Sequence, residues 1–108
     1  MVKFMVFIVR RPDLSPADFA RHFREIHGPL VARLPGLVDY RQNIVQHDDQ
    51  NSPGFALCDA VAELWFDSRA ALDAVWDTAE GLAAIADNPL FLDLERTHYA
   101  VVSEHPPR

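Results

Sequence analysis

The sequence predicts a single α+β domain with the element order β-α-β-β-α-β, a four-stranded antiparallel sheet and helices on one face of that sheet. Three observations support this prediction. The 108 residues suffice for one hydrophobic core but not for two. Apolar residues make up 49% and charged residues 24%, which is the balance of an ordinary globular protein. Four strand-length segments are interleaved with two stretches of helical periodicity.

The first strand, predicted over residues 2–10, is apolar on both of its alternating faces. A strand with this pattern is covered on both sides. Since one chain's helices cover one face, we expect a second copy of the chain to cover the other, which predicts a homodimer. Arg10-Arg11-Pro12 ends the apolar run too early for a signal sequence or a membrane span.

The first helix is predicted to begin with Ser15 as its N-cap and Pro16 at its first position. Asp18, three residues after the cap, completes an S-x-x-D variant of the capping box. Apolar residues then recur at helical spacing, which predicts one buried stripe. Its members are Phe19, Phe23 and Ile26.

His27 is predicted to lie at the C-terminal end of this helix, because Gly28 and Pro29 follow it and stop helices. At that position the peptide dipoles favour the protonated imidazole. A histidine that titrates near neutrality is suited to proton transfer. His22 lies five residues earlier, about 140° around an α-helix, so the two side chains are expected on different faces.

The second strand is predicted over residues 37–46, and its alternation places Tyr40 and Asn43 on opposite faces unless the strand bulges. Residues 47–54 are rich in turn formers and predict an exposed loop. The third strand, residues 59–66, carries Glu63 and Trp65 on its mixed face. Its other face is uniformly apolar: Ala60, Ala62, Leu64 and Phe66.

The rest of the chain predicts a second helix and a last strand. Asp67 or Ser68 is expected to cap the helix. Gly81 and Asn88-Pro89 are expected to break the segment that follows into short helical pieces. The last strand is predicted over residues 97–104. This order of elements is the ferredoxin-like arrangement, and two such sheets packed face to face form a dimeric α/β barrel. The predicted stripe of the second helix comprises Leu72, Val75, Trp76 and Ala79.

Several fragments together resemble the EthD-like family of dimeric α/β barrels. They are the lead-in Arg11-Pro12-Asp13-Leu14-Ser15, the helix ending in His27-Gly28-Pro29-Leu30-Val31, then Leu34-Pro35-Gly36-Leu37, Tyr40 with Asn43, the run from Asp59 to Ser68, and Asp87 with Phe91-Leu92-Asp93. The resemblance covers nearly the whole chain except residues 47–57. It implies cofactor-free proton transfer on a small aromatic or enolisable molecule, as in polyketide dehydratases and cyclases or methylmuconolactone methylisomerase.

Within that resemblance His27 is the candidate catalytic residue, and the alternative is a histidine that only caps helix carbonyls. Tyr40 and Asn43 are candidate substrate-binding residues, although Tyr40 is equally consistent with a core position. Glu63 and Trp65 are further candidates for substrate binding. Glu63 has the alternative role of an ion pair with Arg41, across the sheet or across the dimer interface. Trp65 has the alternative role of a side chain that fills the barrel.

Composition excludes other classes of protein. The net charge of −6 argues against nucleic-acid binding. The single cysteine, Cys58, cannot form an internal disulfide, and this fits a cytoplasmic protein. The scattered histidines lack metal-ligand spacing, and the glycines form no phosphate-binding motif, so we predict neither metal nor cofactor. Nine arginines against one lysine suggest a bacterial source.

Three functions therefore remain open from the sequence. The first is a cofactor-free lyase or isomerase, of the dehydratase or cyclase type, that moves a proton on a small metabolite. The second is a cofactor-independent oxygenase on the same barrel. The third is a non-catalytic dimeric protein that binds a small ligand as an accessory in a degradation pathway.

Overall fold

The chain folds as the predicted ferredoxin-like domain, and its computed structural model describes residues 1–46 and 57–107. The predicted loop over residues 47–54, with His47, lies outside the described residues. Every strand begins and ends within two residues of its predicted bounds. The elements are β1 (Val2–Ile8), α1 (Pro16–Arg21), a π-helical turn (His22–His27), α2 (Gly28–Ala32), β2 (Leu37–Ile44), β3 (Ala60–Phe66), α3 (Arg69–Val75), α4 (Ala79–Asp87), a 3-10 turn (Asn88–Leu90) and β4 (His98–Ser103).

The four strands form one antiparallel sheet in the order β2-β3-β1-β4. One face of the sheet packs on the helices, and β3 shows why: its predicted apolar residues 60, 62, 64 and 66 are all buried against the core. A bulge between Leu37 and Asp39 shifts the register of β2 against β3. It precedes Tyr40 and Asn43, so these two side chains stay on opposite faces, as the alternation predicts.

The first helix starts as predicted but does not stop at Gly28 and Pro29. The Ser15 hydroxyl accepts a hydrogen bond from the Asp18 amide, and Pro16 occupies the first turn. The helix then widens into the π turn and continues as α2 to Ala32, with Pro29 in the first turn of α2. Because α2 follows directly, His27 is an interior helix residue, and the predicted helix end with its favourable dipole is wrong.

The wider turn also changes which residues the helix buries. The sequence predicts that Ile26 completes the stripe after Phe19 and Phe23, but Ile26 is 51% exposed. His27 is 8% exposed and takes the inward position instead. A π-helix places more residues in each turn than an α-helix does, so the buried face advances by one residue.

The second helical region is split between Trp76 and Thr78, before Gly81, so the predicted break lies earlier than expected. Ser68 caps α3 and Thr78 caps α4, each by accepting a hydrogen bond from a backbone amide three residues on. Leu72 and Val75 of the predicted stripe are buried, Trp76 is half-buried and Ala79 is exposed. In the described part of the chain, no helix combines the length and apolar character needed to cross a membrane.

The core lies between the helix face of the sheet and the helices. Three phenylalanine rings stack there with centroids 5.8–6.0 Å apart: Phe19, Phe23 and Phe91. None of the helices in residues 1–46 and 57–107 lies on the opposite sheet face, and we call this face the open face. Its described residues include Met5 and Phe7 of β1, which are half-buried in the single chain.

Candidate active site

A cavity of about 460 Å³ opens between the helix face of the sheet and helices α3 and α4. Its walls are mostly apolar, from Phe4, Leu64, Trp76 and Val101 among others. This size and lining suit a small organic ligand. His27 borders the cavity, and its imidazole is buried.

His27 does not stand alone, because the carboxylate of Asp87 binds it and His22 together. His27 Nδ1 lies 2.9 Å from Asp87 Oδ2. His22 Nε2 lies 2.9 Å from both oxygens of the same carboxylate. All three side chains are mostly buried, and the rings of His22 and His27 pack against the Phe91 ring with centroids 4.9 and 4.7 Å away. We call His22, Asp87 and His27 the His–Asp–His cluster.

The π turn is what brings the two histidines together. The Gly28 amide donates to the Phe23 carbonyl, five residues back, and this wider turn brings residues i and i+5 toward the same side of the helix. His22 and His27 have this spacing. The expectation that they lie about 140° apart is therefore wrong, because it assumed α-helical geometry. Pro29 favours the change, since it has no amide hydrogen for an α-helical bond.

With Nδ1 of His27 donating to Asp87, Nε2 is the ring nitrogen that can meet a molecule in the cavity. The carboxylate fixes this tautomer, as it does in a Ser-His-Asp triad. Burial lowers the pKa of His27, and this effect outweighs the nearby Asp87, which raises it. The His27 imidazole is consequently neutral at pH 7, with a free lone pair on Nε2, and not protonated as the helix-end argument predicts.

Tyr40 lies near the same helix but outside the cavity lining. Its hydroxyl accepts a hydrogen bond of 2.8 Å from Gln42 Nε2, which also donates to the Phe23 carbonyl at 2.7 Å. Burial raises the pKa of Tyr40 to about 12, so the phenol stays neutral. Gln42 and Tyr40 thus support the π turn from the sheet.

The other three predicted site residues lie together on the open face, on the far side of the sheet from the cavity. Lys3 Nζ donates to Glu63 and to Glu104, each at 2.7 Å. Asn43 donates to Glu63 at 2.9 Å, and the Trp65 indole donates to Glu104 at 2.9 Å. The Lys3 ammonium also lies 4.7 Å from the Trp65 ring centroid. Of the five predicted site residues, the structure brings only His27 to the cavity.

Across the sheet of one chain, the possible ion pair between Glu63 and Arg41 does not form, although the two residues face each other across β2 and β3. The Arg41 guanidinium pairs with Asp39 and donates to the Tyr40 carbonyl. Lys3 binds Glu63 instead, from the neighbouring central strand β1. The hydrogen bond that Lys3 donates lowers the pKa of the Glu63 carboxyl.

Two members of the His–Asp–His cluster are absent from the site predicted by sequence. Asp87 is named only among the fragments of the family resemblance. His22 is predicted on a different helix face from His27, because that prediction assumes an α-helical angle between them. The sequence does contain a signal for His22, namely a proline two residues after the second of two histidines at i and i+5. In the described residues, no group of three or more His, Cys, Asp or Glu side chains has the geometry to hold a metal ion.

Comparison with known proteins places this geometry in context. The EthD domain family matches residues 11–95. An uncharacterized 11.0 kDa protein from the thcB-thcC intergenic region of Rhodococcus erythropolis is 31% identical over 84 residues, covering 78% of this chain and 79% of that protein.

Solved structures match over almost the whole chain. An ethyl tert-butyl ether degradation (EthD) family protein of Bacillus halodurans has a TM-score of 0.80 at 23% identity and covers 97% of this chain and 99% of its own. A dimeric ferredoxin-like protein of unknown function from Thermobifida fusca has a TM-score of 0.72 at 16% identity, covering 95% and 90%. SnoaB, a cofactor-independent oxygenase from Streptomyces nogalater, has a TM-score of 0.68 at 14% identity, covering 98% and 94%.

Proposed function

This chain belongs to the EthD domain family, and from that premise we propose that it is a cofactor-free lyase or isomerase that moves a proton on a small aromatic or enolisable metabolite. The observation that carries the proposal is a neutral His27, oriented by Asp87, at the wall of an apolar cavity. A buried imidazole with one ring nitrogen fixed and the other free has the properties of a general base. The family relationship alone leaves the reaction open.

The proposed reaction begins when His27 Nε2 removes a proton from a carbon next to a substrate carbonyl. The C–H bond breaks, an N–H bond forms, and the electron pair moves to the carbonyl oxygen as an enolate. Asp87 stabilises the resulting imidazolium through Nδ1. Asn88 borders the cavity with an amide that can donate to the enolate oxygen.

The second half of the reaction returns the proton and regenerates neutral His27. Transfer to a different carbon gives an isomerase. Transfer to a hydroxyl that departs from the neighbouring carbon gives water and an unsaturated product, which is a lyase reaction. In both cases atoms and charge balance with no cofactor.

The test uses 2-tetralone, a bicyclic aromatic ketone with acidic α-hydrogens, as the probe. We expect the protein to accelerate exchange of these hydrogens for deuterium in D₂O, followed by NMR. His27→Ala should lower the catalysed rate about 100-fold or more, the usual contribution of a general base. Ile26→Ala is the matched control, because Ile26 is exposed on the same turn and should leave exchange unchanged.

A folded His27→Ala protein that exchanges 2-tetralone at the wild-type rate would overturn the catalytic role of His27. The predicted substrate-binding roles of Tyr40, Asn43, Glu63 and Trp65 stay predictions, and the cavity mechanism does not depend on them. Substituting each by Ala and measuring the concentration dependence of exchange tests them directly.

The alternative of an oxygenase is supported by the shared fold of SnoaB. It predicts consumption of dioxygen with a quinol-like substrate, measured with an oxygen electrode. Absence of both exchange and oxygen uptake across a panel of ligands that do bind the cavity would favour the third function, a ligand-binding accessory protein.

We also propose that the working form is a homodimer, with the two open faces packed together. The half-buried Met5 and Phe7 side chains and the dimeric Thermobifida fusca relative support this.

A further inference from the structure

The Asp87 carboxylate binds two imidazoles, whereas the proposed reaction uses one. His22 is held by hydrogen bonds to both carboxylate oxygens at 2.9 Å and by stacking on Phe91 at 4.9 Å. These contacts hold the His22 ring in place beside the carboxylate. A side chain held this way and not used in proton abstraction calls for an explanation.

Charge supplies that explanation. Asp87 is 7% exposed, and a buried carboxylate is costly unless a cation or strong donors offset its charge. One imidazolium balances it fully. Two imidazolium rings on the same carboxylate would repel each other, so in the resting protein the two histidines compete for one proton. At neutral pH, a second positive charge, on His27, then exists only while that ring holds the proton taken from the substrate.

Burial decides which histidine wins this competition. The His22 side chain is 17% exposed and that of His27 is 10%, so a charge on His22 is better solvated. His22 makes two contacts to the carboxylate and His27 makes one. Burial and the charge of His22 both lower the pKa of His27.

We propose that His22 is a positioning residue that carries the proton balancing Asp87 in the resting protein, and so keeps His27 neutral with its Nε2 lone pair toward the cavity. This inference rests on the proposed function for its catalytic meaning. The protonation order within the His–Asp–His cluster is measured without any substrate, so it stands or fails separately.

Other groups near the cluster do not compete for this role. From β2, Tyr40 is neutral because its pKa is about 12. From the segment after β1, Arg11 reaches the Pro89 carbonyl, but its charge is paired with Asp13 at 2.7 Å. On the π turn itself, Arg24 and Glu25 are exposed. Asn88, which follows Asp87, carries no charge.

The experiment is an NMR titration of the imidazole nitrogens and carbons of the protein without ligand. In the wild type, His22 should become cationic at a higher pH than His27, and His27 should show the neutral Nδ1–H tautomer at pH 7. Protonation of His27 before His22, or a neutral Nε2–H tautomer of His27, would overturn the proposal. This measurement requires no variant to fold.

A variant pair tests the coupling. His22→Gln keeps a donor toward Asp87 and removes the charge, so the midpoint of the His27 titration should rise by roughly half a pH unit or more. The acid limb of 2-tetralone exchange should move in the same direction. Arg24→Gln removes one exposed positive charge on the same turn. It should change neither the midpoint of the His27 titration nor the acid limb of 2-tetralone exchange.

The outcomes separate the two proposals. An unchanged His27 midpoint in a folded His22→Gln protein refutes the role of His22, whatever the exchange rate. If the wild type does not exchange 2-tetralone but His22 is still protonated before His27, the proposed reaction is wrong. The role of His22 in balancing Asp87 then stands.

Discussion

At the scale of residues, the stability of this protein should depend on pH through His27. Its pKa is lowered by burial from the ordinary 6.5, so the unfolded chain binds a proton more readily than the folded chain. The contribution of His27 to the free energy of unfolding should then be constant above about pH 7.5 and fall as the pH drops below 6.5. Urea denaturation at several pH values measures this.

The comparison with His27→Gln isolates the effect. The decline below about pH 6.5 should be smaller in the variant, because the titrating ring is gone. Glu63 contributes in a different range, since its pKa is lowered from 4.5 and its stabilisation is lost only in stronger acid. Equal pH dependence in both proteins would show that His27 is not buried in its neutral form.

Residue types near the site could be predicted from the sequence, but their partners could not. His27 is predictable because a histidine directly before Gly28 and Pro29 is conspicuous in sequence. Asp87 lies sixty residues later, and neither periodicity nor spacing connects the two. Similarly, Glu63 lies opposite Arg41 in the sheet register, yet it binds Lys3. Ion pairs depend on how far each side chain reaches and on which other partners compete, and the sequence shows neither.

At the scale of elements, the packing of α4 against α3 should be sensitive to one glycine. A Cβ atom at Gly81 would lie 2.1 Å from the Val75 carbonyl oxygen and 3.0 Å from Trp76 Cα. Backbone atoms cannot move aside as a side chain does. Gly81→Ala should therefore cost roughly 2 kcal/mol or more of stability despite the better helix propensity of alanine.

Thermal denaturation of Gly81→Ala checks this prediction. Glu80→Ala, the neighbouring exposed position, is the control and should change the melting temperature little. A melting temperature of Gly81→Ala equal to that of the wild type would mean that α4 is free to shift away from α3.

Strands were predicted more accurately than helices for a physical reason. Side chains alternate between the two faces of β1 and β3 with period two, and a strand keeps that period wherever it packs. The first helix changes its own period at His22, and the one-residue advance buries His27 in place of Ile26. Pro29 is consistent either with the end of a helix or with the first turn of a new one. The sequence does not show how the segment packs against Phe91 and Gln42, and this packing distinguishes the two.

At the scale of the whole molecule, we expect a dimer built on the open faces. Sedimentation velocity at micromolar concentration should give twice the monomer mass. Met5→Glu places a charge on the central strand of the open face and should shift the protein to monomer. Leu82→Glu, on the exposed side of α4, should leave the dimer intact.

Circular dichroism of Met5→Glu distinguishes a folded monomer from an unfolded chain. A stable, folded wild-type monomer at micromolar concentration would contradict the prediction. The sequence predicts this assembly because β1 is apolar on both faces, which one layer of helices cannot cover. It does not predict that a polar network of Lys3, Glu63 and Glu104 shares that face.

Lys3 has one more consequence, for the reactivity of the folded protein. It is the only lysine in the chain, it is 8% exposed, and two carboxylates hold its ammonium group. Its hydrogen bonds to Glu104 and Glu63 raise its pKa. Acylating, alkylating and aldehyde reagents need an uncharged, accessible amine, and no lysine offers one while the sheet is intact. The native fold is thus shielded at its sole lysine from electrophiles that modify most proteins, and this protection lasts only as long as the sheet does.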